Sequence, residues 1–318
     1  MFPPAFVRAG VPTAAALLIT LTACSPTSPD SPQAPAEPTA SSGPSLPRAE
    51  FSHLHALVFD GQDRALYAAT HAGVWALPDP TAPTVGGDQG AAARIGSGTQ
   101  DTMGLTLARD GALLASGHPG PGEALDLAMP NLGLIRSTDG AQTWESVSLS
   151  GEVDFHALTA TEDAGVGRIA GLDSASSTVL LSDDNGRTWD GGATIAAHDL
   201  TFLTGDPDQI LATTPDGLQI SPDAGQTFTA IPDAPVLVFV ETQDNGELVG
   251  VDTNGLVWTA TPAATGWQSH GSVAGGAIEA MTVASGRDGA ANLVVATEQR
   301  IMSSPDLGAT WVSVAEIS

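Results

Sequence analysis

The chain has 318 residues, 42% of them hydrophobic, with 36 acidic against 10 basic side chains and a net charge of −26. That charge repels phosphate backbones and anionic lipid heads, so it argues against nucleic-acid binding and electrostatic docking on a membrane, while it attracts cations. The basic residues are all Arg, and 36 Gly with 23 Pro mark a chain rich in turns.

Residues 1–23 carry one charged side chain, Arg8, and an apolar stretch from Val11 to Leu21 that ends in small residues. The stretch is too short to span a bilayer and reads as a signal peptide. The junction Leu21-Thr22-Ala23-Cys24 resembles the lipobox of bacterial lipoproteins. The resemblance implies a diacylglycerol thioether on Cys24, the mature N-terminus, and an exported chain anchored to the outer face of the cell membrane. The alternative is a secretory peptide followed by a free thiol, which as the only Cys would have no disulfide partner. Residues 24–49 are dominated by Pro and Ser and read as a tether without a core.

The folded body is expected over residues 50–318. Within it the pattern Ser-x-Asp recurs from Ser137 to Trp144, Ser182 to Trp189, Ser221 to Phe228 and Ser304 to Trp311. This resembles the Asp-box, or bacterial neuraminidase repeat, S-x-D-x-G-x-T-W. Its aspartates are Asp139, Asp184, Asp223 and Asp306, spaced by 45, 39 and 83 positions. The long gap hides one degenerate unit at Asn254–Trp267, and another falls near residues 77–95, which makes six. Each unit reads as four short strands. In the third these are Asp154–Ala160, Arg168–Leu172, Ser177–Ser182 and Thr188–Ile195. Four strands per period of this length predict an all-β, six-bladed β-propeller of antiparallel blades. Its ring is expected to close without exchanging strands.

The Asp-boxes are turns between third and fourth strands, so their aspartates are expected to be structural and to lie opposite the functional face. The starts of the first strands and the turns between second and third strands share that other face. One aligned position holds His55, Met103, His156, His198, Val236 and Met281. Two residues earlier stand His53, Asp101, Asp154, Ala196, Ala234 and Glu279. The turns add His71, His118, Asp173, Asp252 and Glu298. Six of the seven histidines are thus expected at one end of the channel, with His270 apart.

Three readings follow. The histidines are hydrogen-bonded wedges between blades. Or they bind a transition metal, copper or zinc, with His53, His55, His118 and His156 as leading ligands and Met103 pointing toward copper. Or they line a pocket for a small polar ligand such as a glycan.

Six-bladed Asp-box propellers resemble sialidases, which implies three substrate-binding arginines, a Tyr–Glu nucleophile and an acid/base Asp. Here Tyr67 lies inside a predicted strand and no Arg begins a first strand, so the usual sialidase chemistry is not expected. The phrases Phe51-Ser52-His53-Leu54-His55-Ala56-Leu57, Ser116-Gly117-His118-Pro119-Gly120 and Asp154-Phe155-His156-Ala157-Leu158 resemble an exported bacterial glycosyl-hydrolase-like family. Glycoside hydrolysis would need a carboxylate pair across the bond, for which Asp101 and Asp154 are the first candidates and Glu279 the next. A ligand- or metal-binding lipoprotein and a glycoside hydrolase are therefore the competing functions.

Overall fold

The computed structural model describes residues 48–49, 53–82, 92–121, 129–161, 167–286 and 289–317. The signal peptide, Cys24 and the tether up to residue 47 lie outside the described residues, as does part of the degenerate unit near residues 77–95.

The described residues contain no helix and form six sheets, each built from four consecutive antiparallel strands. The fold is a six-bladed β-propeller. Its inner strands are Leu54–Asp60, Asp101–Leu107, Phe155–Thr161, Asp199–Leu203, Leu237–Thr242 and Ile278–Ser285. Blade 3 comprises Phe155–Thr161, Arg168–Asp173, Thr178–Ser182 and Asp190–Thr194, within two residues of the expected bounds at every strand end.

Blade 6 takes all four of its own strands from residues 278–317. The short strand Arg48–Ala49 then adds to its outer edge, parallel to Val312–Ile317, pairing Arg48 with Glu316 and Ala49 with Ile317. Closure therefore does involve a segment from the other end of the chain, and the last two residues read as tether are strand. The ring seam is also tied by Asn292 Nδ2 and Ser303 Oγ, which donate to the carbonyl of Pro80 at 3.1 and 3.2 Å.

The core consists of six apolar clusters, one at each contact between neighbouring blades. At the seam, Leu57 and Leu66 of blade 1 pack with Ala280 and Val294 of blade 6. Second strands are buried on both faces, so they read as unbroken runs of small and β-branched residues such as Leu293–Thr297. Small residues there make room for large ones on the first strand. A Cβ at Gly171 would stand 2.4 Å from the ring of Phe155, which is fully buried.

All four Ser-x-Asp segments make one turn. In the second, Ser182 Oγ accepts the Gly186 N–H at 2.8 Å and donates to Asp184 Oδ1 at 2.9 Å. Asp184 also accepts the Thr188 N–H at 2.8 Å and the Thr188 hydroxyl at 2.6 Å. The carboxylate is spent inside its own turn. Two successive residues are left-handed in each copy. Where three copies place Gly second, the first places Ala141, at φ 67°. Gly186 abuts Leu134 of the preceding blade, where a Cβ would come within 2.1 Å, whereas the Ala141 methyl joins the apolar cluster that contains Val74. The fifth blade has lost Ser and Asp but keeps the anchor. Trp267 Nε1 donates to the Ala264 carbonyl at 3.1 Å, as Trp189 does to Gly186 at 3.1 Å.

Candidate functional site

The inner strands enclose a channel of about 1100 Å³. Near their starts, the pairing with the second strand slips by one residue in five blades. The extra residue is His55, Met103, His156, Val238 and Glu279 in turn. A bulge re-aims its side chain, and His55, Met103, His156 and Glu279 line the channel. The expected alignment therefore holds for blades 1 to 3 and is displaced by two residues in blades 5 and 6. Glu279, and not Met281, is the counterpart of His55, and Met281 belongs to the buried core. Blade 4 has no slip at this point: Asp199 pairs directly with Thr213.

The residues gather into two clusters. The first spans blades 6, 1 and 2. One ring nitrogen from each of His53, His55 and His71 lies within 4.8 Å of the other two. His53 and His71 stack with centroids 5.4 Å apart, and His55 stands edge-on to both. Carboxylates hold the rings: Glu279 Oε1 lies 2.6 Å from His53 Nδ1, and Asp101 Oδ1 lies 2.8 Å from His71 Nδ1 and 3.6 Å from His55 Nε2. Burial first, and then the charge of His71, lowers His55 to about 4, so its imidazole is neutral at physiological pH.

The second cluster spans blades 2 and 3. Asp154 Oδ2 lies 2.7 Å from His156 Nε2, 3.4 Å from His118 Nε2 and 3.1 Å from Ser174 Oγ. Burial pushes the Asp154 carboxyl upward, but the hydrogen bond and charge of His156, the charge of His118 and Ser174 together hold it below its ordinary value. In return Asp154 raises His156, against the pull of burial. The metal ligands expected to act together are thus divided: His53 and His55 join His71, while His118 and His156 join Asp154.

His198 joins neither cluster. It packs edge-on against Phe239 at 5.0 Å, and burial lowers its pKa. Met103 lines the channel between the two clusters. His270 bonds to Thr259 on the outer part of blade 5. Tyr67 is buried in the core between blades 1 and 2. Arg64, Arg136 and Arg168 pair with Asp79, Asp110, and Asp183 with Asp208, all toward the opposite end of their blades.

Two acidic residues not singled out in the sequence also line the channel. Asp199 accepts the Leu200 N–H at 2.9 Å and, from the next blade, the Val240 N–H at 3.0 Å. Glu241 accepts the Val283 N–H of blade 6 at 3.0 Å, and Glu279 accepts the Leu54 N–H of blade 1 at 3.2 Å. These three carboxylates pin successive inner strands. Burial pushes Asp199 up to about 7, and burial with the charge of Asp199 pushes Glu241 up to about 8. The available signal was an acidic side chain within or bordering an apolar inner-strand run, at Asp199 before Leu-Thr-Phe-Leu and Glu241 after Val-Phe-Val.

No protein-family model and no curated protein matches the sequence. Among solved structures, a GH74 enzyme of Niastella koreensis aligns with a TM-score of 0.54 and 17% identity over 83% of this chain. The aligned part is 37% of the enzyme, so the chain spans little more than a third of that protein. A gluconolactonase of Xanthomonas campestris gives 0.57 and 14% identity over 83% of this chain and 86% of its own. A nidogen/laminin complex gives 0.55 and 13% over 80% and 97%. These likenesses show the fold alone, and proteins of such different kinds leave function to be argued from the site.

Proposed function

We propose that the chain is an exported, lipid-anchored propeller of the Asp-box type that binds a transition-metal ion at the His-rich mouth of its channel. The observation that carries this reading is the convergence of His53, His55 and His71 within 4.8 Å. The distances among His55 Nε2, His71 Nδ1 and Asp101 Oδ1 are 3.3, 2.8 and 3.6 Å. A tetrahedral ion with bonds of about 2.0–2.1 Å has ligand edges of about 3.3 Å, so these atoms need little movement to close on one. His55 is already in the neutral form that coordinates. Glu279 Oε1 stands 2.6 Å from Nδ1 of His53, which leaves Nε2 for the ion with a carboxylate beside the other ring nitrogen. The strongly negative chain adds a field that concentrates cations. Copper and zinc suit imidazole with one carboxylate.

The glycoside-hydrolase reading receives less support. A general acid needs a raised carboxyl, yet Asp101, Asp154 and Glu279 each contact imidazole, and Asp154 is held low. The raised carboxyls, Asp199 and Glu241, are committed to backbone N–H groups.

The test is equilibrium dialysis of the full-length chain in detergent, stripped with chelator, against copper(II) or zinc(II). Replacing His55→Ala together with His71→Ala is expected to remove one bound ion. Equal binding by the parent chain and this variant would defeat the reading.

A further inference from the structure

We propose a second transition-metal site one blade further round the ring, formed by His118, Asp154 and His156, so that the channel mouth holds two ions side by side. The inference goes beyond the first site and rests on its own residues.

The first argument is repetition. In blade 1 the turn between second and third strands supplies His71, which meets Asp101 at the start of the blade 2 inner strand. In blade 2 the equivalent position is His118, the last residue of the second strand, which meets Asp154 at the start of the blade 3 inner strand. The step that carries His71 to His118 and Asp101 to Asp154 also carries His55 to Met103, because both occupy the inner-strand bulge. Beyond Asp154 the next bulge offers His156, whose Nε2 is 2.7 Å from Asp154 Oδ2. Blade 3 continues with Ser174 at the corresponding position and Ala196 at the following start, so the pattern stops after two copies.

The second argument is the proton inventory of His118. Its Nδ1 lies 3.2 Å from the carbonyl of Pro130, an acceptor only, so Nδ1 carries the hydrogen. In the neutral ring Nε2 is then a bare lone pair, and it faces Asp154 Oδ2 at 3.4 Å. Both atoms face the position that a cation between the two side chains would occupy. A backbone carbonyl on Nδ1 is also what fixes the tautomer of a metal-bound imidazole.

The third argument is Asp154 itself. Its side chain is 4% exposed, and Oδ1 is buried with no hydrogen-bond partner among the described residues. A buried carboxylate oxygen left unpartnered is costly, and a cation at the mouth of the pocket compensates it. His118 and His156 remain open to solvent, so an ion can reach them. Met103 lines the channel together with His156, and its thioether suits copper.

The experiment measures bound metal by mass spectrometry of the full-length chain saturated with copper or zinc. Two ions per chain are expected for the parent, one for His118→Ala with His156→Ala, and one for His55→Ala with His71→Ala. Asp154→Asn, which keeps the side-chain shape, is a second variant expected to lose one ion if the histidine pair misfolds. Circular dichroism checks the fold of each. Two ions retained by Asp154→Asn and by the folded His118/His156 variant would overturn the second site. A parent chain with a single ion, lost only on changing His55 and His71, would overturn it as well. A single ion lost only on changing His118 and His156 would uphold it and refute the first site.

Discussion

Asp101 Oδ1 reaches His71 Nδ1 at 2.8 Å across the boundary between blades 1 and 2, so a carboxylate from one blade holds an imidazole of its neighbour. The same oxygen lies 3.6 Å from His55 Nε2. Asp101 therefore sets the orientation of two of the three clustered histidines. Asp101→Asn keeps the shape and removes the charge. It is expected to weaken metal binding at the first site by at least the roughly 10–100-fold that losing an outer-sphere partner costs, because it also removes the charge of the one carboxylate ligand. Competition against a chromogenic chelator measures this, and unchanged affinity would remove Asp101 from the site.

The turn from Ser182 to Trp189 rests on a buried hydroxyl as well as on its conspicuous aspartate. Ser182 is 1% exposed, and its hydroxyl accepts the Gly186 N–H. Ser182→Ala leaves that buried donor unsatisfied and should cost about 1–3 kcal/mol of stability. Urea denaturation followed by tryptophan fluorescence reads the loss. The equivalent change at Ser304 should behave alike, since Ser304 accepts the Gly308 N–H at 2.7 Å.

Phe155 fills the space left by Gly171 and is fully buried between blades 2 and 3. Phe155→Ala should destabilise by about 3–5 kcal/mol through lost burial and a cavity. Gly171→Ala tests the same contact from the other side, because its methyl would overlap the ring. Both should lower the denaturation midpoint; a neutral Gly171→Ala would show that the ring has room to move.

Asp199 and Glu241 stand at about 7 and about 8 in the folded chain, pushed up by burial. Unfolded, both would titrate in the ordinary carboxylate range. The folded chain thus keeps protons that the unfolded chain has released. Their contribution is fully present below the ordinary range and is lost as pH rises through about 7 and 8. Asp199→Asn with Glu241→Gln should flatten this decline. Denaturation midpoints between about pH 5 and about pH 9 give the comparison, and identical slopes for parent and double variant would contradict the assignment.

Strand count and blade boundaries could be read from the chain because each Ser-x-Asp turn announces a third and a fourth strand. In the fifth blade, the doubled spacing between Asp223 and Asp306 marks a unit that ends at Trp267. The register of the inner strands was less accessible. A bulge adds one residue without any compositional sign, so Val236 and Met281 looked equivalent to His55 when Val238 and Glu279 are. The convergence of six histidines on one end follows from strand polarity. Their division into two clusters does not, because it depends on which turn meets the next blade's inner strand, as His71 meets Asp101 and His118 meets Asp154. Asp199 and Glu241 escaped notice because their partners are backbone N–H groups of the neighbouring blade, roughly one repeat away in sequence.

The most direct test of the central claim is anomalous X-ray scattering from crystals of the full-length chain grown with copper or zinc. The account predicts a peak among His53, His55 and His71, within about 2.0–2.1 Å of imidazole nitrogens. Ordered side chains at these three residues with no anomalous peak among them at saturating metal would contradict it.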